Sequence, residues 1–321
     1  MSSMGETLQV LCRLIPILAF IALGCVFRHT GFVSSQVMEG MKKLAVNLAL
    51  PVVIFLSLLR LEIKASYLVL ALFVFLISMG LLCVGRGIGR LLRWENPYAS
   101  ALFTGYENGM LGYGVLAAAL GQTNIYPIVI MDLGQTLFFS LVFVTYMRVL
   151  NREIVAVSSK SIGRAFLTNP YVWASALAIL LNCAGCVPLL ETSLLTQGLF
   201  EGLEQLSALT TPIMGLAIGY GLRIKRDYLR RSFLIIALRL LLLSSIAFLL
   251  DTFLIKGILH LGTVFSVSVY TMFLLPPFFV GALLIKEEAV EEREFALSTI
   301  SFHILIFLVL FCVMLPLFPG S

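Results

Sequence analysis

The stretch "TGYENGMLGYG", residues 104–114, decides how this chain crosses a membrane. It lies inside an apolar run long enough to span a bilayer, yet it carries a glutamate, an asparagine and four glycines. Unwound backbone in the middle of a membrane persists only where it faces protein or a water-filled cavity. We therefore interpret the stretch as a helix that is interrupted at Glu107, Asn108 and Gly109 and borders a cavity.

A second interruption is predicted in "FLLPPFFVGALL", residues 273–284. Pro276 and Pro277 remove two amide donors and clash with the preceding turn, so a new half-helix should start there. Paired broken segments at matching positions of two halves are typical of the substrate site of an inverted-repeat transporter. If the two breaks cross, half-helix starts point amides and positive dipole ends at one spot, which suits a carboxylate that Asn108 helps to orient.

The composition places the chain in the membrane. Of its 321 residues, 60% are hydrophobic and 12% are charged, and the mean hydropathy is +1.03. Soluble domains are about half apolar and about a quarter charged. We predict an all-α integral membrane fold with ten spans of about 20 residues. The predicted spans are 8–27, 38–59, 65–85, 97–120, 124–148, 169–187, 203–222, 232–252, 258–285 and 295–315.

The basic residues follow a topological pattern. Seventeen of the 22 lysines and arginines lie in connectors after odd-numbered spans, and three lie after even-numbered spans. By the positive-inside rule the odd connectors are cytoplasmic, which puts both termini outside a plasma membrane. The pattern explains the net charge of +5 without a nucleic-acid partner.

The chain divides into two halves of opposite orientation. A first five-helix repeat covers residues 1–150, a cytoplasmic connector covers 151–168, and a second repeat covers 169–321. Pro51 and Pro212 stand at matching places in the second helix of each half. Together the halves are expected to form one integrated transport domain, with the fourth and ninth helices broken.

Motifs for catalysis or metal binding are missing from the sequence. It has no H-E-x-x-H, no G-x-S-x-G and no aspartate-rich pair, so we do not expect an enzyme. The six cysteines lie in or beside apolar spans, and the pair Cys183 and Cys186 has no further ligands nearby. Neither a metal nor a cofactor is expected.

The glycines have a simpler explanation that stays open. Gly105 and Gly109 have the small-xxx-small spacing that lets membrane helices pack closely. The neighbouring Glu107 and Asn108, with the proline pair at the matching place, favour a binding site over packing alone.

Seven segments together resemble one transporter family, the auxin efflux carriers, which include bacterial malate and malonate permease-like members and plant PIN-type carriers. The segments are "IPILAFIALGCVFRHTGFVSSQ", "LAVNLALP", "ENGMLGYG", "MDLGQTLFF", "NPYVWASALAILLN", "LTTPIMGLAIGYGL" and "LPPFFVGALL". The resemblance implies two inverted five-helix repeats with broken, crossing helices 4 and 9. It also implies a scaffold of helices 1, 2, 6 and 7 that often forms a homodimer, and elevator-like transport of organic anions.

The resemblance carries over to particular residues. Asn108 matches the asparagine of the family's helix 4 motif, and Pro276 or Pro277 matches the crossover proline of helix 9. Asp132 and Gln135 match the family's "DLGN" stretch of helix 5. The substrate-binding set is therefore expected to be Asn108, Glu107, Gly109, Pro276, Pro277, Asp132 and Gln135. This chain departs from the family pattern at two positions. Glu107 stands where the family usually has a small residue or proline, and Gly109 stands where it commonly has a threonine.

Glu107 admits three interpretations, because an unpaired charge at mid-membrane costs several kcal/mol. It is protonated and couples a proton to anion movement, it binds a cation or the amino group of a zwitterion, or it pairs with Arg239 at a similar depth. His303 is a further candidate for coupling, since histidine titrates near neutral pH. The alternative is a structural hydrogen bond for His303 and a structural ion pair for Glu107 and Arg239.

These features predict a secondary transporter of small carboxylates such as malate, malonate or auxin-like acids. The alternative of the same crossed-helix architecture is a sodium- or proton-coupled transporter of cations, zwitterions or amino acids, with Glu107 and Asp132 as ion ligands. A receptor that keeps the fold would normally carry a signalling domain, and the sequence shows none.

Overall fold

The computed structural model describes residues 2–59, 61, 64–152, 170–187 and 194–318, and all regular structure within them is helical. A short 3₁₀ helix, Pro97–Phe103, precedes α4. The numbered helices are α1 Ser2–Thr30, α2 Ser35–Leu59, α3 Ala65–Leu91, α4 Asn108–Leu120, α5 Gln122–Leu150, α6 Pro170–Cys183, α7 Leu194–Ala208, α8 Thr210–Gly221, α9 Arg226–Ile258, α10 Thr263–Leu274, α11 Phe279–Leu283 and α12 Val290–Leu317.

Six helical segments of the described chain are long and apolar enough to cross a membrane. They are α2, α3, α5, α9, α12 and the segment Thr263–Leu283, which comprises α10 and α11. Three shorter apolar helices are Leu14–Thr30 within α1, α4 and α6. The prediction of an all-α membrane fold is confirmed at this level.

Helix starts and irregular turns have local causes in the sequence. The Ser34 hydroxyl accepts the Val37 amide and caps α2, and the Asn96 side chain accepts the Tyr98 amide at 2.9 Å ahead of Pro97. Four helices of the described chain contain wider π turns, at Ala45–Ala49, Asn108–Gly112, Phe139–Phe143 and Leu250–Ile258. The first of these lies just before Pro51, whose missing amide interrupts the helical hydrogen-bond ladder.

The chain forms two compact units, and each draws on both halves of the sequence. The first unit takes the described residues of Met1–Lys64, Gly109–Val129 and Arg164–Gly221. The second unit takes those of Ala65–Asn108, Ile130–Gly163 and Leu222–Ser321. The connector at 151–168 lies outside the described residues except for its first two positions.

Within the first unit, α1 and α8 pack at glycines. A Cβ at Gly219 would overlap the carbonyl of Ile21, and a Cβ at Gly24 would overlap the carbonyl of Leu216. Small residues of this kind let membrane helices approach to backbone contact. Asn182 ties α6 to the end of α2, because its side-chain amide donates to the carbonyl of Leu59 at 2.6 Å.

Within the second unit, α5, the 3₁₀ helix and Thr104 all pack against α3. A Cβ at Gly134 would overlap the carbonyl of Ala71, so α5 lies against α3 at backbone distance. The 3₁₀ helix Pro97–Phe103 packs beside Gly85 of α3. The Thr104 hydroxyl then donates to the Ser78 carbonyl at 2.8 Å. These contacts hold the chain just before Glu107 on a rigid helix.

Candidate functional site

Two extended segments of the second unit meet at Glu107 and Pro276. The Glu107 amide donates to the Pro276 carbonyl at 2.9 Å, and the Phe279 amide donates to the Glu107 carboxylate. The first segment, 104–107, follows the 3₁₀ helix, and the second, 275–278, joins α10 to α11. One residue therefore binds the second broken segment through both its backbone and its side chain.

The breaks differ from the predicted ones in position. We expected the interruption of the fourth span at Glu107, Asn108 and Gly109, but Asn108 already begins α4 and the extended residues precede it. The reason is Gly105, which has a φ of +77°, a conformation that residues with a Cβ rarely adopt. The new helix after the proline pair starts at Phe279, two residues later than Pro277.

Gly105 also makes room for an aromatic ring. A Cβ at this position would overlap the ring of Phe278. That ring is held edge-on against Phe143 and Phe139, with centroids 4.5 Å and 5.2 Å away. Because the ring is locked on its other side, it cannot move to accept a larger residue at 105.

Arg239 of α9 donates hydrogen bonds to carbonyls at both broken segments. Its side chain is 1% exposed, and its guanidinium donates to the carbonyls of Leu102 at 3.0 Å, Gly105 at 2.5 Å and Leu275 at 3.3 Å. It also lies 5.7 Å from the centre of the Tyr106 ring, within cation–π range. The interruptions free these carbonyls from helical partners, and one buried cation satisfies them.

Asp132 on α5 accepts hydrogen bonds from two side-chain amides. Its carboxylate accepts the Asn108 amide at 2.7 Å and the Gln135 amide at 3.1 Å. Gln135 also donates to the Tyr106 carbonyl at 2.7 Å, which fixes the chain next to Glu107. With the donors turned toward Asp132, the side-chain oxygens of Asn108 and Gln135 are buried and have no hydrogen-bond partner among the described residues.

The remaining predicted residues occupy different surroundings. His303 is fully buried on α12 in the second unit, and its coupling role stays a prediction. Pro277 borders a cavity of about 10 Å³, which is about the volume one water needs. Gly109 belongs to the first unit, where a Cβ would lie 3.9 Å from Leu50 and from the Tyr171 hydroxyl.

Hydrogen bonds therefore connect six of the predicted residues into one network. They are Glu107, Asn108, Asp132, Gln135, Arg239 and Pro276, which are joined directly or through the backbone of residues 105 and 106. Sequence reasoning missed Tyr106 and Phe278. A tyrosine and a phenylalanine in an apolar run carry no signal of their own, although the glycine at 105 hints that something large lies opposite.

Comparison with known proteins gives a distant match. The chain is 26% identical over 190 residues to an uncharacterized transporter of Methanothermobacter thermautotrophicus (strain Delta H). The aligned part covers 57% of this chain and 59% of that protein, which is less than two thirds of the relative's length. No protein-family profile matches the chain. The chain is an all-α, multi-pass membrane protein.

Proposed function

We propose that this protein is a secondary transporter of small organic anions, namely carboxylates such as malate, malonate or auxin-like acids. The observation that carries the proposal is the meeting of two broken segments at Glu107 and Pro276, braced by the buried Arg239. Irregular backbone inside a membrane is tolerated where it is buried in protein or lines a cavity, and broken helices at the crossing of two repeats are typical of transporter substrate sites. The similarity to a transporter supports the same class of function.

Protonation of Glu107 removes one of the two carboxylate charges near the crossing and leaves Arg239 and Asp132 as the charged side chains there. Arg239 supplies a fixed positive charge, and its guanidinium is bonded only to neutral carbonyls among the contacts above. Ionised Glu107 repels a carboxylate and binds the Phe279 amide itself. Protonation removes that charge and weakens its bond to the amide, since charge-assisted hydrogen bonds are about twice as strong as neutral ones. We propose this exchange as the proton-coupling step.

The proposed architecture has ten membrane helices in two inverted repeats, 1–150 and 169–321, with the fourth and ninth helices broken. We propose a scaffold of helices 1, 2, 6 and 7. The first compact unit contains α1, α2, α6, α7 and α8, and it also takes nearly all of α4 and the start of α5, which that scaffold does not include. The division into two units supports an elevator-like mechanism. We further propose a homodimer in the plasma membrane, with both termini outside.

The second candidate is a transporter of zwitterions or cations, and a specific observation favours it. The side-chain oxygens of Asn108 and Gln135 are buried acceptors without a partner in the described part of the chain, and such atoms cost about 1–3 kcal/mol each. An ammonium group or a cation satisfies acceptors, whereas a carboxylate does not. Glu107 and Asp132 are then the counter-charges.

Asn108→Ala is expected to remove substrate-driven current without unfolding the protein. Asn108 is the first residue of α4 at the crossing, and its side-chain amide donates to Asp132. The measurement is solid-supported-membrane current from proteoliposomes, with a panel of mono- and dicarboxylates and amino acids. The matched control is Asn124→Ala, because Asn124 is an exposed asparagine whose side chain caps the Leu120 carbonyl.

The panel separates the two candidates. Currents with dicarboxylates that vanish in Asn108→Ala and persist in Asn124→Ala support anion transport. Currents with amino acids alone, or with sodium or protons and no organic substrate, establish the second candidate and contradict the first. Normal carboxylate current in Asn108→Ala removes this residue from the site.

A further inference from the structure

A separate cavity of about 360 Å³ opens in the second unit, away from the crossing. It lies on the predicted cytoplasmic side, where α3 ends at Leu91 and where α9 and α12 begin. Cavities of about 300 Å³ and more hold small ligands. The transport function proposed above leaves this cavity unexplained.

Side chains of both charges line the cavity. They are Arg93, Arg231, Glu95, Glu291 and Glu292. Within the described residues no ion pair within 4 Å joins any of these five to another side chain, although two such pairs occur elsewhere in the second unit. The arginines and carboxylates therefore both remain available to a ligand. A ligand with only one charge would meet the wrong sign on part of the wall, whereas a ligand with both charges has a complement for each of them among these side chains.

Aromatic rings form another part of the wall. Trp94, Tyr228 and Phe295 line the cavity, and the rings of Tyr228 and Phe295 are perpendicular with centroids 5.5 Å apart. Aromatic faces attract ammonium groups, and carboxylates nearby strengthen that attraction. Tryptophan and tyrosine are also enriched where membrane helices meet water, at the level of lipid headgroups.

Arg93 holds an unusual backbone conformation at this cavity. The Trp94 amide donates to the Gly89 carbonyl at 2.9 Å and closes the end of α3, which leaves Arg93 with a φ of +49°. Helices usually place glycine at that position, because a Cβ costs free energy there. An arginine at a glycine position is explained by what its side chain contributes, and here that side chain lines a cavity that contains carboxylates.

We propose that this cavity binds a zwitterionic phosphoethanolamine group. Arg93 and Arg231 would pair with the phosphate, since guanidinium groups match phosphate oxygens. Glu291, Glu292 and the aromatic wall would hold the ammonium. The shared chemistry comes from two sources, a phosphatidylethanolamine headgroup or a soluble phosphoethanolamine ester. The exposed apolar side chains of Phe233 and Leu241 on α9 suit the lipid tails.

Trp94 reports on the cavity directly. The chain has two tryptophans, so Trp173→Phe leaves Trp94 as the sole indole. The full chain with this substitution, in detergent, is titrated with dihexanoyl phosphatidylethanolamine, with glycerophosphoethanolamine and with dihexanoyl phosphatidylglycerol while Trp94 emission is followed. We expect a saturable change with at least one ethanolamine compound and a clearly weaker response to phosphatidylglycerol. Saturation by the glycerol ester identifies the headgroup alone as sufficient, and saturation by the lipid alone identifies the lipid as the source.

Arg93→Gly gives the decisive comparison, because it relieves the backbone while it removes the charge. Its thermal unfolding midpoint should equal or exceed that of the parent, while the affinity for the ethanolamine compound falls by about tenfold or more. The matched control is Arg152→Gly, because Arg152 has a φ of +58° and does not line the cavity, so its affinity should be unchanged. Glu291→Gln should weaken binding of the ethanolamine compound but not of phosphatidylglycerol. Unchanged affinity in Arg93→Gly, equal binding of phosphatidylglycerol, or no saturable change with either ethanolamine compound overturns the proposal.

Discussion

Gly105→Ala is expected to abolish substrate-driven current and to lower the yield of folded protein. The substitution places a Cβ inside the ring of Phe278, which Phe143 and Phe139 hold in place. It also forces a residue with a Cβ into a φ of +77°, which costs of the order of 1–3 kcal/mol before any overlap is counted. The carbonyl of Gly105 binds Arg239, so displacement of residue 105 also loosens that brace.

Gly121→Ala separates the cost of the positive φ from the cost of the overlap with the Phe278 ring. Gly121 has a φ of +85°, and a Cβ there meets nothing within 4 Å. This variant should show the conformational cost alone and keep most of its transport current. The measurements are size-exclusion profiles and proteoliposome currents for both variants. Equal behaviour of Gly105→Ala and Gly121→Ala would show that the contact with Phe278 does not matter.

Arg239→Met is expected to have the second large effect, which is loss of stability in the second unit. Methionine fills a similar volume, but the carbonyls of Leu102, Gly105 and Leu275 lose a charged donor. Each buried carbonyl left unsatisfied costs about 1–3 kcal/mol. We expect the midpoint of thermal unfolding to fall by about 5 °C or more, and transport to be lost with it.

Arg230→Met is the matched control, because Arg230 is an exposed arginine near the start of the same helix. Its effect should stay within about 0.5 kcal/mol, as is usual for exposed positions. Thermal unfolding of both variants in one detergent gives the comparison. If Arg239→Met is as stable as Arg230→Met, the guanidinium is not what holds the broken segments in place.

The positions of the breaks were predictable to within a few residues, and the reason is local chemistry. Pro276 and Pro277 cannot donate helical hydrogen bonds, and Asn96 before Pro97 is a typical helix start, which here opens a 3₁₀ helix. The interruption of the fourth span was placed too late, because four glycines compete for the role and the sequence does not show which one takes a positive φ. That choice depends on Phe278, which is more than 170 residues away along the chain.

The partners of Arg239 were not predictable in the same way. We considered an ion pair with Glu107, because side chains of opposite charge at similar depth carry a sequence signal. The guanidinium instead binds backbone carbonyls, which every residue has and which no sequence pattern marks. The two compact units could not be predicted from the sequence either, because each combines segments from both halves of the chain. By contrast, the proximity of Asp132 and Gln135 follows from their spacing of three residues on one helix face.

Glu107→Gln provides the most direct test of proton-coupled organic-anion transport. Carboxylate currents in proteoliposomes are measured at several pH values for the native chain and for this variant. In the native chain the current should rise toward acidic pH, because protonation of Glu107 removes the charge that repels the substrate and weakens its bond to the Phe279 amide. Glutamine resembles the protonated form, so the variant should carry current at every pH without that dependence. A variant that keeps the native pH profile, or a native chain that carries only sodium or protons without an organic substrate, would contradict the account.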